Sequence, residues 1–426
     1  MSDIKSGTVP LMFLKPRRAD KHLIREAVNH FDGLQIGASD AIATIELVKN
    51  SGKPFFVDPM AYMFVLPPAA VIDVKSGKVR PSLSSLAQRY SRVLEQTIGK
   101  RAISHEDVTS RLDVLDEIAH NALEYQRSKI NGQLNLFPVS DYYDKYQLLD
   151  DDGEPKPQAA NALVPWVVIA PFFYFTDTND PWYSASLRCA DLATKHLQPG
   201  ESLFATLLMD QRLLDSPDNI RRMIADLTNP KISGVFIWVN GMDEDAASST
   251  RLLNLLALVS GLKAAGKSVL KMHGGYFSIL MHSFGLSGFS CALSYRTSRN
   301  IMSYKWRAPS QPAPKFYVPS LHRAYALEEA AHILKMFPST RCNCAVCRDA
   351  YGNDFTRMPD RMKQAGFCEK HFLNVRKHEL SSVRDGQEGL VASLDDTLAR
   401  LGQEHLKEIS HLAKWRKTVT DFSTAA

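Results

Sequence analysis

Nowhere does this 426-residue chain carry eighteen apolar residues in a row; the longest candidate run, Ala162 to Phe175, is too short to span a bilayer as a helix. Met1 to Asp20 holds no apolar segment behind a basic start, so we expect no secretory signal and a cytoplasmic protein without a membrane partner. Internal repeats and low-complexity tracts are missing too. A large excess of either charge is also lacking, with 51 Lys and Arg against 46 Asp and Glu. The net charge of +5 permits a polyanionic partner without requiring one. Cysteine is sparse, at six residues. Cytoplasmic thiols stay reduced, so a cluster of them favours metal binding or catalysis over disulfides. Against these absences, a hydrophobic content of 45% is enough for a full core.

Short apolar runs that end in polar or glycine-rich turns recur along the chain. They are LMFLK (11–15), LQIG (34–37), PFFVD (54–58), LVPWVVIAP (163–171), LFATLLMD (203–210), GVFIWVNG (234–241), SVLKMHGG (268–275), GFSCALSY (288–295) and KFYVPS (315–320). Between them lie helix patterns such as SDAIATIELVKN and STRLLNLLALVSGLKAAG. Runs apolar throughout suit strands buried on both faces, and the alternation with helices suits parallel pairing. Nine candidates fit an α/β fold, a (β/α)8 TIM-like barrel with one extra element, in which reactive residues sit at the C-terminal ends of strands. We expect the barrel over 1–335, with a charged helical insertion at about 76–155. A metal-binding subdomain and C-terminal helices are expected over 336–426.

Three cysteines fall within six positions in RCNCAVCRDA, as Cys342, Cys344 and Cys347; Cys368 and His371 follow about twenty residues later. Thiolates and imidazole are the ligands of tetrahedral zinc, and a structural site takes four of them. We expect zinc held by Cys342, Cys344, Cys347 and His371, with Cys368 as the other candidate for the fourth place. Four protein ligands leave no open position, so the metal is expected to be structural.

The C-x-C-x2-C spacing with its later helix-borne histidine resembles the zinc site of tRNA-guanine transglycosylases, and KHFLNVRKHEL is similar to the helix that carries their histidine. Other segments resemble that family in the same order. WVVIAPFFYFTDTNDPWYSASLRCADLATKH is similar to their strand, loop and Ser-rich helix start, and GVFIWVNGMDED to their glycine strand and acidic turn. GFSCALSYRTSRN resembles their Phe-Asp-Cys segment with its Thr-Arg-x-x-Arg-Asn run, and PFFVDPMAYMF their Asp-Ser-Gly-Gly-Phe strand end. The resemblance covers roughly residues 50–380 outside the insertion. It implies a barrel with a zinc subdomain that exchanges a guanine in nucleic acid, tRNA or in one branch DNA, for a 7-deazaguanine through an aspartate–sugar bond. Departures are clear. Ser290 stands where the family has its nucleophilic aspartate, Pro171–Phe172–Phe173 where it has a purine-reading aspartate, and Asp210 near its base-contacting glutamine. Asp58 is the one matching acid.

Glycosidic cleavage needs a carboxylate near the developing sugar cation and an acid for the departing base. Asp58 and Asp210 each end an apolar run, where a barrel would aim them into its mouth, and are the catalytic candidates; each would equally cap the turn that follows. Asn240, His273, Gly274, Gly275 and Ser290 are the substrate-binding candidates, because glycines at a strand end let backbone approach a ligand. Asp243, Glu244 and Asp245 read as a solvated turn, and Phe172, Phe173, Tyr174, Trp182 and Tyr183 as core or as a platform for an extruded base. Arg296, Arg299, Lys305 and Arg307, and in the last helix Lys414, Arg416 and Lys417, are candidate phosphate contacts. Two further readings stand beside base exchange: a hydrolytic N-glycosidase, and a zinc-stabilised barrel that binds nucleic acid or a partner subunit without turnover. A homo-oligomer is compatible with each.

Overall fold

The computed structural model describes residues 9–16, 20–73, 75–110, 112–131, 164–293, 299–303, 313–364, 366–383, 386–404 and 409–425. Eight parallel strands form a nearly closed barrel: β1 (Leu11–Lys15), β2 (Gly33–Gly37), β3 (Phe55–Asp58), β4 (Val168–Ile169), β6 (Leu203–Asp210), β7 (Ile232–Asn240), β8 (Ser268–Lys271) and β9 (Leu286–Ala292). The order round the wall is β3-β2-β1-β9-β8-β7-β6-β4, and a parallel bridge from Phe56 to Val167 links the last strand to the first. A short β5 (Tyr174–Phe175) adds to the upper end of β6. This is the TIM-like α/β architecture expected from the alternating apolar runs.

The ninth apolar run leaves the wall: Lys315–Val318 (β10) pairs antiparallel with Arg323–Ala326 (β11) as a separate hairpin. LVPWVVIAP contributes only two strand residues. Its seam is completed by a side chain, since the Gln126 amide donates to the Ile169 carbonyl (2.8 Å) and its Oε1 accepts from the Ile169 N–H (2.9 Å). Gln126 belongs to the helix Leu112–Asn131, the longest described part of the insertion, which also includes helices Pro81–Tyr90, Arg92–Thr97 and His105–Thr109. The rest of the expected insertion, including its acidic proline-bearing loop, lies outside the described residues.

Aromatic rings fill the lower barrel. Phe13 and Phe56 lie 5.1 Å apart between centroids, Phe56 and Phe236 4.7 Å, and Phe204 and Phe236 5.3 Å. Glycines make room for them: a Cβ on Gly33 would sit 2.3 Å from the Phe13 ring, and one on Gly234 2.3 Å from Phe204. The barrel is therefore plugged at its base, and chemistry is confined to the opposite rim.

After the barrel come helix Leu327–Met336, the cysteine segment, helix Phe367–Ser382 and the helices Gly386–Gln403 and Ser410–Ala425. No helix among the described residues is long and apolar enough to cross a membrane.

Candidate metal centre and barrel mouth

Helix Ala345–Ala350 begins at Cys344, so a tight turn and one helical turn carry all three cysteines. Helix Phe367–Ser382 brings His371 to them. Its Nδ1 lies 3.9 Å from the Cys342 sulfur, 3.4 Å from Cys344 and 3.3 Å from Cys347, and all four ligand atoms fall within 4.8 Å of one another. Zinc–sulfur bonds of about 2.3 Å and zinc–nitrogen bonds of about 2.0 Å would put sulfur and nitrogen roughly 3.5 Å apart in a tetrahedron, so the donor set fits such an ion. The other imidazole nitrogen, Nε2, is 2.6 Å from the Tyr317 carbonyl, which leaves Nδ1 as the ligand nitrogen, and the ring stacks on Phe316 at 4.1 Å. Cys368 is not part of the group; its thiol is directed at the Met362 carbonyl (3.4 Å).

At the C-terminal rim of the barrel the strand-end residues gather. Asp58 is fully buried; it accepts from the Met60 N–H (3.0 Å) and the Tyr62 hydroxyl (3.3 Å). Burial lifts its carboxyl above the usual range, against the pull of Lys15, of those hydrogen bonds and of Arg299. Asp210 is held in the opposite sense. Burial alone would lift it, but the Arg212 guanidinium and N–H and the Tyr174 hydroxyl (2.7 Å) outweigh that and keep it below the carboxylate range. Its contact with the Arg212 N–H caps the following turn. Asp58 and Asp210 thus meet different partners, and of the two only Asp210 retains exposed side-chain surface.

Asn240 is buried at the end of β7 and accepts from the Ile301 N–H (2.8 Å). His273 follows β8 in the left-handed region (φ 59°), an uncommon place for a non-glycine residue. Its imidazole lies 4.8 Å from the Trp238 ring, with Nε2 free of hydrogen bonds among the described residues. Burial, then Lys15, Arg299 and Lys271, hold it well below the usual histidine range, so it is neutral. Ser290 is buried, and its backbone and hydroxyl accept from the N–H groups of Gly274 (2.8 Å) and His273 (3.3 Å). Gly275 turns instead to Glu244.

Glu244 requires a correction, because it is no solvated turn. The side chain is about 2% exposed, pairs with Lys271 Nζ at 2.8 Å, and accepts from the N–H groups of Gly275 and Phe277 and the hydroxyl of Ser278. Burial would lift its pKa, but these partners outweigh that and lower it. The cations of the last helix have partners of their own. Lys414 donates to the Asp245 carbonyl (2.7 Å), Arg416 pairs with Asp395 and Lys417 with Asp421, so these cations are engaged within the chain. Arg296, Lys305 and Arg307 lie outside the described residues. Phe172, Phe173 and Tyr183 are core, while Tyr174 and Trp182 are only partly buried.

One residue of the mouth, Lys15, escapes the sequence reading, and it shares the Trp238 ring with Arg299, expected above as a phosphate contact. Lys15 ends β1 with its ammonium 6.0 Å from the centre of the Trp238 ring, and Arg299 holds its guanidinium 5.6 Å from the same centre. Loss of water round the Lys15 ammonium, then Arg299, lowers its pKa to about 8, against Asp58 and Asp40. The signal was present in LMFLK, where a charge ends an apolar run as it does in PFFVD and LFATLLMD.

No protein-family profile and no curated protein sequence matches this chain. Among solved structures it is similar to xylanase B from Clostridium stercorarium F9, with a TM-score of 0.34 and 11% identity over 67% of this chain and 86% of that one. It is also similar to nitroalkane oxidase from Streptomyces ansochromogenes, with a TM-score of 0.26 and 14% identity over 99% of each chain. Both likenesses are remote, and neither bears on what the chain does.

Proposed function

We propose that the chain is a transglycosylase-like enzyme acting on a nucleobase in DNA or tRNA, exchanging a guanine for a 7-deazaguanine, with zinc as a structural ion held by Cys342, Cys344, Cys347 and His371. The observation that carries this reading is the convergence of those four ligand atoms directly after a parallel eight-stranded barrel, the combination the family resemblance implies. When bound, the ion would hold the cysteine turn against helix Phe367–Ser382, and the reaction would belong to the barrel mouth.

At the mouth, cleavage of a glycosidic bond draws on two carboxyls whose environments pull their proton affinities apart. Asp210, ionised and reachable, faces the positive charge that develops on the sugar. Asp58, sealed beneath the rim, sets Lys15 and Tyr62 and so acts as a positioning residue. Lys15 and Arg299, packed over the buried Trp238 ring, offer cations at the mouth suited to the phosphates of a nucleic acid. Incubation with labelled guanine and either tRNA or duplex DNA tests the reading: label enters one of them, and Asp210→Asn reduces incorporation at least about 100-fold. Absence of both exchange and base release from either nucleic acid overturns it. An abasic product in place of exchange assigns the hydrolytic N-glycosidase.

A second reading is favoured by Ser290, which stands in the nucleophile's place with its hydroxyl engaged by the His273 N–H. It is a barrel that binds nucleic acid or a partner without turnover. Salt-sensitive binding that persists unchanged in Asp58→Asn and Asp210→Asn distinguishes it.

A further inference from the structure

The positive excess of the chain is concentrated in one stretch of the insertion. Residues 72–101 carry seven Lys and Arg against two Asp and Glu, an excess of five that equals the net charge of the whole chain. The remainder is neutral in sum. Lys75, Lys78, Arg89, Arg92, Lys100 and Arg101 are exposed. Arg101 is held by Asp107, its Nη2 donating to Oδ1 at 2.7 Å. Among the described residues the other five form no ion pair.

The fold gathers these charges at the barrel rim. The Asp73 carboxylate accepts from the N–H groups of Lys75 (3.0 Å) and Ser76 (2.9 Å), closing a turn that presents Lys75 and Lys78. Val79 packs so closely on Gly99 that a Cβ there would lie 2.2 Å from Val79 Cγ2. Lys78 and Lys100, the chain neighbours of these two residues, are therefore brought together from distant positions. Helices Pro81–Tyr90 and Arg92–Thr97 join the two places and carry Arg89 and Arg92 at their meeting ends. The Tyr90 hydroxyl donates to the Pro59 carbonyl (2.8 Å), directly after Asp58, and the Ile103 N–H to the Phe64 carbonyl (3.0 Å). The segment is thereby fixed to the C-terminal end of β3, on the rim that also holds Lys15 and Arg299.

We propose that this segment is a docking surface for the phosphate backbone of a nucleic acid, which it holds across the rim beside the mouth. Exposed Lys and Arg on one surface neutralise phosphates and release their counterions whatever the base sequence. A membrane surface fits less well. Peripheral membrane segments set apolar side chains beside their cations, and the exposed large hydrophobics among the described residues, Val164, Met302 and Met336, all lie outside 72–101. The inference rests on the reading of the chain as acting on nucleic acid, and adds which surface carries the polymer.

Fluorescence anisotropy of the full-length protein with a labelled duplex DNA of about 30 base pairs and with a labelled tRNA transcript, between about 50 and 300 mM NaCl, tests this. At least one of them is expected to bind. Lys75→Gln/Lys78→Gln/Lys100→Gln is expected to weaken that binding about tenfold or more near 100 mM salt, and to make the slope of log Kd against log salt shallower by about 2–3. Lys195→Gln/Lys231→Gln/Lys263→Gln makes the same charge change on exposed residues at the opposite end of the barrel, and is expected to alter affinity less than about threefold. Failure of both nucleic acids to bind the unaltered protein overturns the proposal. So do equal losses in the two variants, or capture by phosphatidylserine vesicles with the same dependence on the first three lysines. Guanine exchange with KM unchanged in the first variant sinks the docking surface and leaves the enzymatic reading, whereas lysine-dependent binding without exchange or base release does the reverse.

Discussion

Lys271 shows how one side chain organises the rim. It ends a four-residue strand among core neighbours, is 3% exposed, and donates both to Glu244 (2.8 Å) and to the His273 carbonyl (3.0 Å). A buried ion pair is weak evidence of stability, but removing one partner strands the other charge. Lys271→Met is therefore expected to cost about 3–5 kcal/mol in urea unfolding, with Lys271→Met/Glu244→Gln recovering most of it. Asp245 gives a pH signature. Its carboxyl titrates at about 7 in the folded chain, above its ordinary 3.8. The native state thus keeps a proton that the unfolded chain releases. The resulting stabilisation is full below pH 4 and is lost as pH rises through 7. Asp245→Asn is expected to flatten that decline and to be more stable than the unaltered chain at pH 8 by about 1–3 kcal/mol, read from unfolding curves at pH 4, 6 and 8.

At the scale of elements, the barrel was legible because strands buried on both faces leave unbroken apolar runs, as in LFATLLMD and GVFIWVNG. Long-range pairing by side chains leaves no such trace. Gln126 sits on a helix far from β4 in sequence, yet supplies the hydrogen bonds that the two-residue strand lacks on its seam side. Gln126→Leu would leave the Ile169 N–H and carbonyl without these partners, at a cost of about 2–3 kcal/mol and with faster amide exchange at Ile169. Unchanged exchange there would show that the seam is held by the Phe56–Val167 bridge alone. The metal site was legible for the converse reason, since three thiols in six residues fix their own geometry. Glu244 was misread because an acidic triplet after a glycine looks like any exposed turn; only the fold reveals that Lys271 and three N–H or O–H donors lie above it. Cys368 and His371 share one helix, and the choice between them rested on where that helix docks, which spacing does not encode.

For the whole molecule, the question is whether the metal module and the barrel stand or fall together. Contacts from two helices tie them. Helix Phe367–Ser382 reaches the segment after β1 through Lys370 and Glu26 (2.6 Å) and through Asn374 and His30 (3.1 Å). Trp415 donates its indole N–H to the Glu244 carbonyl (3.1 Å), and Lys414 holds the carbonyl of Asp245. The barrel has its own aromatic base and an almost complete hydrogen-bonded wall, whereas the cysteine segment is built from short helices. Loss of the proposed ion would remove an interaction that brings Cys342, Cys344, Cys347 and His371 to a point, so stripping should loosen the segment first. On the proposed reading, treatment with a chelator, or His371→Ala, is expected to release about one zinc per chain by elemental analysis and to abolish hydrogen-exchange protection across 341–382. Protection in β6 and β7 should persist, because their amides pair within the wall. Loss of protection in β7 at the same chelator concentration would mean that the acidic turn, pulled by Trp415 and Lys414, transmits unfolding into the barrel. The cluster would then be a condition of the whole fold.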